Sequence, residues 1–179
     1  MAYTFPKRRL SAFCPQDPHE GYIVKSHHEG ASQSFPRGAP LAMVGGYLVV
    51  FVATGTAKIW GFSVTEGNNT TAGAKQVKYV PAVPEVYFRA SFLGSSAANN
   101  VLAQTDFGGT FDLASNANLE GTGKPGWYLQ DSASDAVGII MDADPKESPP
   151  PDQDEHRSLA GDTNARLLCR LAAGASIWY

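Results

Sequence analysis

Four histidines, two cysteines and a scattering of acids are the side chains of this 179-residue chain that could do chemistry. The run His27-His28-Glu29 places three metal-ligating types side by side. Adjacent residues on an extended segment point to opposite sides, so the run does not converge on one ion, and a solvated segment is expected. His19 and His156 stand alone. Asp142, Asp144, Asp152, Asp154 and Glu155 supply oxygen donors of the kind that hold calcium. They lack the regular D-x-D-x-D spacing with its glycine, and prolines stiffen the stretch, so a surface loop is the expectation. No nucleophile is set up for catalysis. Cys14 has Pro15 beside it and no base near, Cys169 falls on the inward side of an alternating segment, and Ser91 and Ser176 lack the glycines of a nucleophile elbow. Asp106 and Asp112 sit near turns, where aspartate is favoured for backbone reasons. There is no GxxxxGK[ST] loop and no GxGxxG between a strand and a helix. Asn68 and Asn69 each head an N-x-T sequence, read as loop chemistry where no secretion signal precedes them. Lys7-Arg8-Arg9 is too small a cluster to make a nucleic-acid surface. The expectation is a chain that is not an enzyme and that needs neither metal nor cofactor.

The elements that carry these residues are constrained by composition. Hydrophobic residues make up 43% of the chain and charged residues 17%, against about 25% charged in ordinary domains. That balance supports a core and argues against general disorder. Eighteen glycines and twelve prolines leave little room for long helices. The formal net charge of −3 argues against a broad nucleic-acid-binding face. Two distant cysteines outside any CxxC exclude a disulfide framework and a zinc-cysteine site. No apolar run follows the basic residues near the N-terminus, and the longest apolar stretch, Leu41–Ala53, is broken by Gly45-Gly46. The chain is therefore expected to be soluble and made in the cytoplasm.

Residues 1–40 differ from the rest. They hold five prolines, three of the four histidines and a formal charge of +2, with no sustained hydrophobic period. They read as an extended N-terminal arm with a short strand over Gly21–Lys25. From Leu41 onward short apolar runs alternate with Gly, Asn, Asp and Pro clusters. Leu41–Val44 and Tyr47–Ala53 flank a glycine pair, the signature of a hairpin. Gly61 within Lys58–Val64 marks a bulge or a close approach. Gln76–Val80, Thr110–Leu113, Trp127–Gln130 and Val137–Ala143 read as strands, and Ser95–Ala103 as a short helix. Val86–Leu93 alternates, with Val86, Phe88, Ala90 and Phe92 facing one way. Arg166–Leu171 alternates too, with Leu167, Cys169 and Leu171 inward. Residues 145–157 form a Pro-rich acidic loop suited to a subunit contact, because proline lowers the entropy lost on ordering. Nine or ten strands at this spacing predict an all-β fold: an antiparallel β-barrel or β-sandwich over 41–179, with one short helix. No internal repeat is visible. Tyr87, Tyr128 and the terminal Trp178-Tyr179 are amphipathic rings able to anchor an interface.

The order of segments resembles a known group. Gly38-Ala39-Pro40 leads into the apolar hairpin, and Ile59-Trp60-Gly61-Phe62 follows. Then come Val77–Pro81, Val86–Ala90, Asp106-Phe107-Gly108-Gly109-Thr110-Phe111-Asp112-Leu113, Gly126-Trp127-Tyr128-Leu129, Gly138-Ile139-Ile140-Met141 and the Arg166–Leu171 strand. This layout looks like that of the capsid decoration, or cement, proteins of tailed bacteriophages, over roughly residues 38–179. The resemblance implies a homotrimer on the outer surface of the virion, bound to the major capsid protein and clamping neighbouring subunits, with no membrane and no direct nucleic-acid partner. The arm suits a crossing between subunits, and Phe5, Leu10, Phe13 and Phe35, with Trp178 and Tyr179, are the expected contacts with capsid or neighbouring copies. Two alternatives are a tail or head-fibre component and a carbohydrate-binding β-sandwich, the latter built on Trp127, Tyr128 and Gln130. A small enzyme with a scattered site is a third.

Overall fold

The computed structural model describes residues 11–13, 23–52, 58–83, 86–92, 103–116, 126–130, 138–143, 166–172 and 174–175. Among the described residues eleven strands form two antiparallel sheets, as the glycine and proline load and the alternating runs predict. The first sheet holds β2 (Lys25–His28), β3 (Pro40–Val44), β4 (Tyr47–Val50), β5 (Gly61–Ser63) and β6 (Gln76–Pro81), in the order β2-β6-β5-β3-β4. The second holds β1 (Ser11–Phe13), β7 (Tyr87–Ser91), β8 (Thr110–Asn116), β9 (Gly126–Gln130), β10 (Gly138–Ala143) and β11 (Arg166–Leu171), in the order β1-β7-β11-β10-β8-β9. The described helical content is one 3-10 turn, Gln104–Asp106, where Asp106 Oδ2 accepts the Ala103 N–H at 2.7 Å. The helix expected over Ser95–Ala103 lies almost wholly outside the described residues.

Local chemistry explains the hairpins. Gly45 and Gly46 have φ of 57° and 82°, the pair of left-handed conformations that a two-residue turn between twisted strands requires and that glycine adopts without strain. Gly61 is the expected close approach. A Cβ there would stand 2.4 Å from the Val80 carbonyl oxygen, because β5 lies against β6 with Phe62 opposite Val80.

One contiguous core joins the sheets. Phe62 of β5 and Phe88 of β7 stack with ring centroids 5.2 Å apart, and Phe92 meets Phe111 edge-on at 5.5 Å. The Ile59 N–H donates to the Ala175 carbonyl, so a backbone bond also crosses between the halves of the chain. Val86, Phe88, Ala90 and Phe92 are all buried, as are Leu167, Cys169 and Leu171. Arg89 and Ser91, on the opposite face of that alternation, are buried as well.

The independent arm is not observed. Residues of β1 pair with β7, Ser11 opposite Arg89 and Phe13 opposite Tyr87. Residues of β2 pair with β6, Lys25 opposite Tyr79 and His28 opposite Gln76. Phe35 is fully buried in the core. The boundary at residue 40 therefore divides a single folded unit. The described part of the N-terminal segment supplies a strand to each sheet, β1 and β2 pairing with distant strands of the same chain.

Both sheets curl. The bridge Glu29–Leu48 is parallel and ties the end of β2 to β4, at the other edge of the first sheet. The bridge Phe92–Leu129 does the same between the end of β7 and β9. These are single bridges, so neither sheet closes into a barrel with a continuous ladder.

The two curled sheets are built on one plan. In each, the first strand of its half pairs with the fifth, the fifth with the fourth, the fourth with the second and the second with the third. The registers agree as well. Gly61 and Gly138 each open the fourth strand; Gly61 pairs with Pro81 and Leu41, and Gly138 with Leu171 and Phe111. Along the fifth strand, Tyr79 then corresponds to Cys169, and their partners Lys25 and Phe88 correspond across the ladders. Along the second strand, Met43 corresponds to Leu113, and their partners are Leu48 and Leu129. The two bridges accordingly join corresponding residues: Glu29 stands where Phe92 stands, and Leu48 where Leu129 stands. No repeat is legible in the sequence, yet the fold holds two copies of one five-strand unit.

Candidate binding surface

The site residues of the sequence reading do not come together in the structure. Phe5, Leu10, Trp178 and Tyr179 lie outside the described residues. Phe13 sits in β1 opposite Tyr87, in a strand that the second sheet itself uses. Phe35 has no exposed surface, so the expectation that it anchors a neighbouring subunit is corrected: its ring packs in the chain's own core, against Gly67, where a Cβ would come within 2.3 Å of it. Among the carbohydrate candidates, Trp127 is buried and pairs with Ser115, with Tyr128 and Gln130 only half-buried on the opposite face. Burial holds the Tyr128 hydroxyl above its ordinary pKa. A strand cannot present adjacent rings on one face, so these residues make no stacking platform for a sugar.

The histidine run lies in a paired strand that leads to the buried Glu29 and is not the solvated segment expected. In β2 His27 is half-buried and His28 exposed, with rings 6.3 Å apart at 89°. His28 Nδ1 lies 2.9 Å from the Gly73 carbonyl oxygen, which it meets as donor. Among the described residues no three His, Cys, Asp or Glu side chains gather as a metal site. Asp142 falls in β10, and the other acids of the Pro-rich stretch lie outside the described residues. Asp112 is buried within β8 rather than placed at a turn.

Among the described residues, Glu29 is the one acid that the first half buries. It lies at the closure of the curled sheet, beneath the loop over residues 64–75. Its carboxylate accepts the Asn69 N–H at 3.3 Å, its own N–H donates to the Lys75 carbonyl, and its carbonyl accepts from the Gly73 N–H. Asn69 is buried and its side-chain amide bonds Thr71 in both directions, donating to the Thr71 carbonyl and accepting the Thr71 N–H. Lys75 Nζ donates to Asn68 Oδ1 at 2.6 Å. Burial pushes the Glu29 carboxyl above its ordinary value; the Asn69 backbone N–H, the Lys75 charge and the Asn68 backbone N–H pull it partly back. The Asn-rich loop is thus pinned from below by a buried carboxylate.

The first half also leaves large apolar side chains exposed. Ile23 is 75% exposed, Val52 62%, Val44 59% and Val24 48%, with Tyr47 and Val64 exposed as well. Val44 and Tyr47 flank the glycine turn at the tip of the β3–β4 hairpin. All six belong to the first half. Ile23 and Val24 fall in the strand expected over Gly21–Lys25 and are not among the expected contacts, although they are the only adjacent β-branched pair in the first 40 residues. No family model matches the chain, and no curated protein matches it.

Proposed function

We propose that this chain is a structural protein of a tailed-phage head, bound to the outer capsid surface, where it cements neighbouring major capsid subunits as a homotrimer. The observation that carries the reading is the distribution of exposed apolar side chains. Among the described residues, every large hydrophobic side chain left exposed belongs to the first of two half-units built on the same plan. Uncovered apolar side chains on the described surface of the first half are of the kind that a partner covers. The resemblance supplies the partner: the major capsid protein, at three-fold or quasi-three-fold positions. A compact all-β body with one continuous core suits such a role, because it transmits load between subunits without deforming.

The mechanism is mass action. A protein that binds the assembled shell and not its dissociated subunits stabilises the shell by RT ln(1 + [L]/Kd), about 2.7 kcal/mol per site at a hundredfold excess over Kd. No bond is made or broken. Cosedimentation of the purified chain with heads that lack it tests the reading. Saturable binding at a fixed ratio to the capsid subunit is expected. Absence from the pelleted heads, with retention on tails or fibres, would replace it with the fibre reading.

A further inference from the structure

The two half-units differ at one edge, and the difference exposes a place for a strand. In the second half, β7 lies between β11 and β1, with Phe13 opposite Tyr87 and Ser11 opposite Arg89. The correspondence between halves puts Val24 where Tyr87 stands and Ser26 where Arg89 stands. In the first half, β2 pairs with β6 on one side, and among the described residues its other side is an edge of the sheet. The backbone shows which groups face that edge. The Glu29 N–H points to β6, where it meets the Lys75 carbonyl; the next one, Gly30 N–H, points the other way, to Leu48. Alternation then turns the backbone groups of Val24, Ser26 and His28 outward, the same set that β7 offers to β1. Ile23 and Val24 stand exposed beside them.

We infer that the outer edge of β2, over Val24–His28, accepts an extended segment of a partner protein as an added antiparallel strand, with an apolar residue opposite Val24 and an acidic residue opposite Ser26. The pattern for the occupant comes from the chain itself, since β1 sets an apolar Phe13 opposite Tyr87, the counterpart of Val24, and a short polar Ser11 opposite Arg89, the counterpart of Ser26. The acidic preference comes from Lys78. Lys78 is exposed and directly opposite Ser26 in the ladder, hence on the same face of the sheet. Ser26 is short, so the Lys78 amine can extend over it to the added strand, with exposed His28 beside it. The edge is poorly suited to pairing with itself. Two copies joined about Ser26 would set His28 of each against Val24 of the other and bring the two Lys78 side chains onto one face. The inference deepens the binding reading above and rests on it for the existence of a partner.

The test uses the full chain and a blocked peptide of residues 10–15 carrying Ser11→Glu and Cys14→Ser. In the free protein the Ser26 and His28 amides should exchange rapidly with solvent. Titration with the peptide should shift those two amides and slow their exchange. Ser26→Pro, which removes an outward N–H and leaves the β6 ladder intact, should weaken the peptide at least tenfold. Val24→Lys, on an exposed position, should do the same and serves where the proline variant fails to fold. Protection of Ser26 in the free protein would mean that the edge is already covered, by this chain or, if protection grows with concentration, by a second copy; either overturns the inference. So does a peptide that shifts no β2 amide. Failure here with intact head binding leaves the shell reading in place with its contact elsewhere. Peptide binding without head binding keeps the acceptor edge and removes the shell.

Discussion

Glu29 closes the first half-unit where Phe92 closes the second, and the exchange of a phenyl ring for a carboxylate has a consequence for stability. A carboxyl held above its ordinary value of 4.5 binds its proton more tightly in the folded chain than in the unfolded one. Its favourable contribution is therefore full below that ordinary value and is lost as pH rises through the raised one. Glu29→Gln keeps an acceptor for the Asn69 N–H and removes the charge. The variant should melt higher than the parent at pH 7, with the gap closing by pH 4, and thermal melts across that range check it. A gap that is unchanged with pH would contradict the account. Phe35→Ala should cost about 3–5 kcal/mol in denaturant unfolding, since the ring is fully buried. Gly61→Ala should cost ~1–3 kcal/mol, because its Cβ has no room beside the Val80 carbonyl; a neutral result would show that β5 can shift. Cys169 was legible as a core residue because it sits in a clean alternation. Phe35 was not, because its neighbours carry no period and only the loop that folds over it, through Gly67, decides its burial.

At the scale of elements, the sequence is most readable where a strand carries its own punctuation. The β3–β4 hairpin is written in Gly45-Gly46, and β7 and β11 in strict alternation. Both β1 and β2 escape such reading. The sequence of β2, Lys25-Ser26-His27-His28, is polar throughout, and what makes it a strand is β6, some 50 residues further on. The strand expected at Gly21–Lys25 is found a few residues later for the same reason. A chain that begins at residue 38 would lose β1, β2 and Phe35, leaving β6 and β7 with unpaired edges and a cavity in the core. It should fail to unfold cooperatively, as judged by the loss of a sharp thermal transition. A truncated chain that melts like the parent would restore the independent arm. For a binding surface the lesson is similar: Ile23 and Val24 stand in the sequence, but that their edge is open follows only from which strands pair.

For the whole molecule, the internal twinning is a property of ladders rather than of residues. Corresponding positions share a few identities, such as Tyr47-Leu48 with Tyr128-Leu129 and Ala82 with Ala172, while Lys25 stands for Phe88 and Glu29 for Phe92. Backbone register survives such exchanges: β2 is mostly exposed where β7 is mostly buried, and the buried Glu29 bonds the Asn69 N–H where Phe92 packs in the core. The shared plan with unequal surfaces underlies the proposal that the first half is the one that binds. The proposed trimer should appear in solution or on the particle: light scattering on the free chain and a reconstruction of decorated heads would each give its copy number, and a strict monomer in both would remove it. The measurement that bears most directly on the central claim is the rupture temperature of heads titrated with the purified chain. The account predicts that it climbs with protein concentration and does not level off at the concentration that fills the sites, with earlier DNA release from bare heads than from decorated ones. Equal rupture temperatures with and without saturating protein would contradict it.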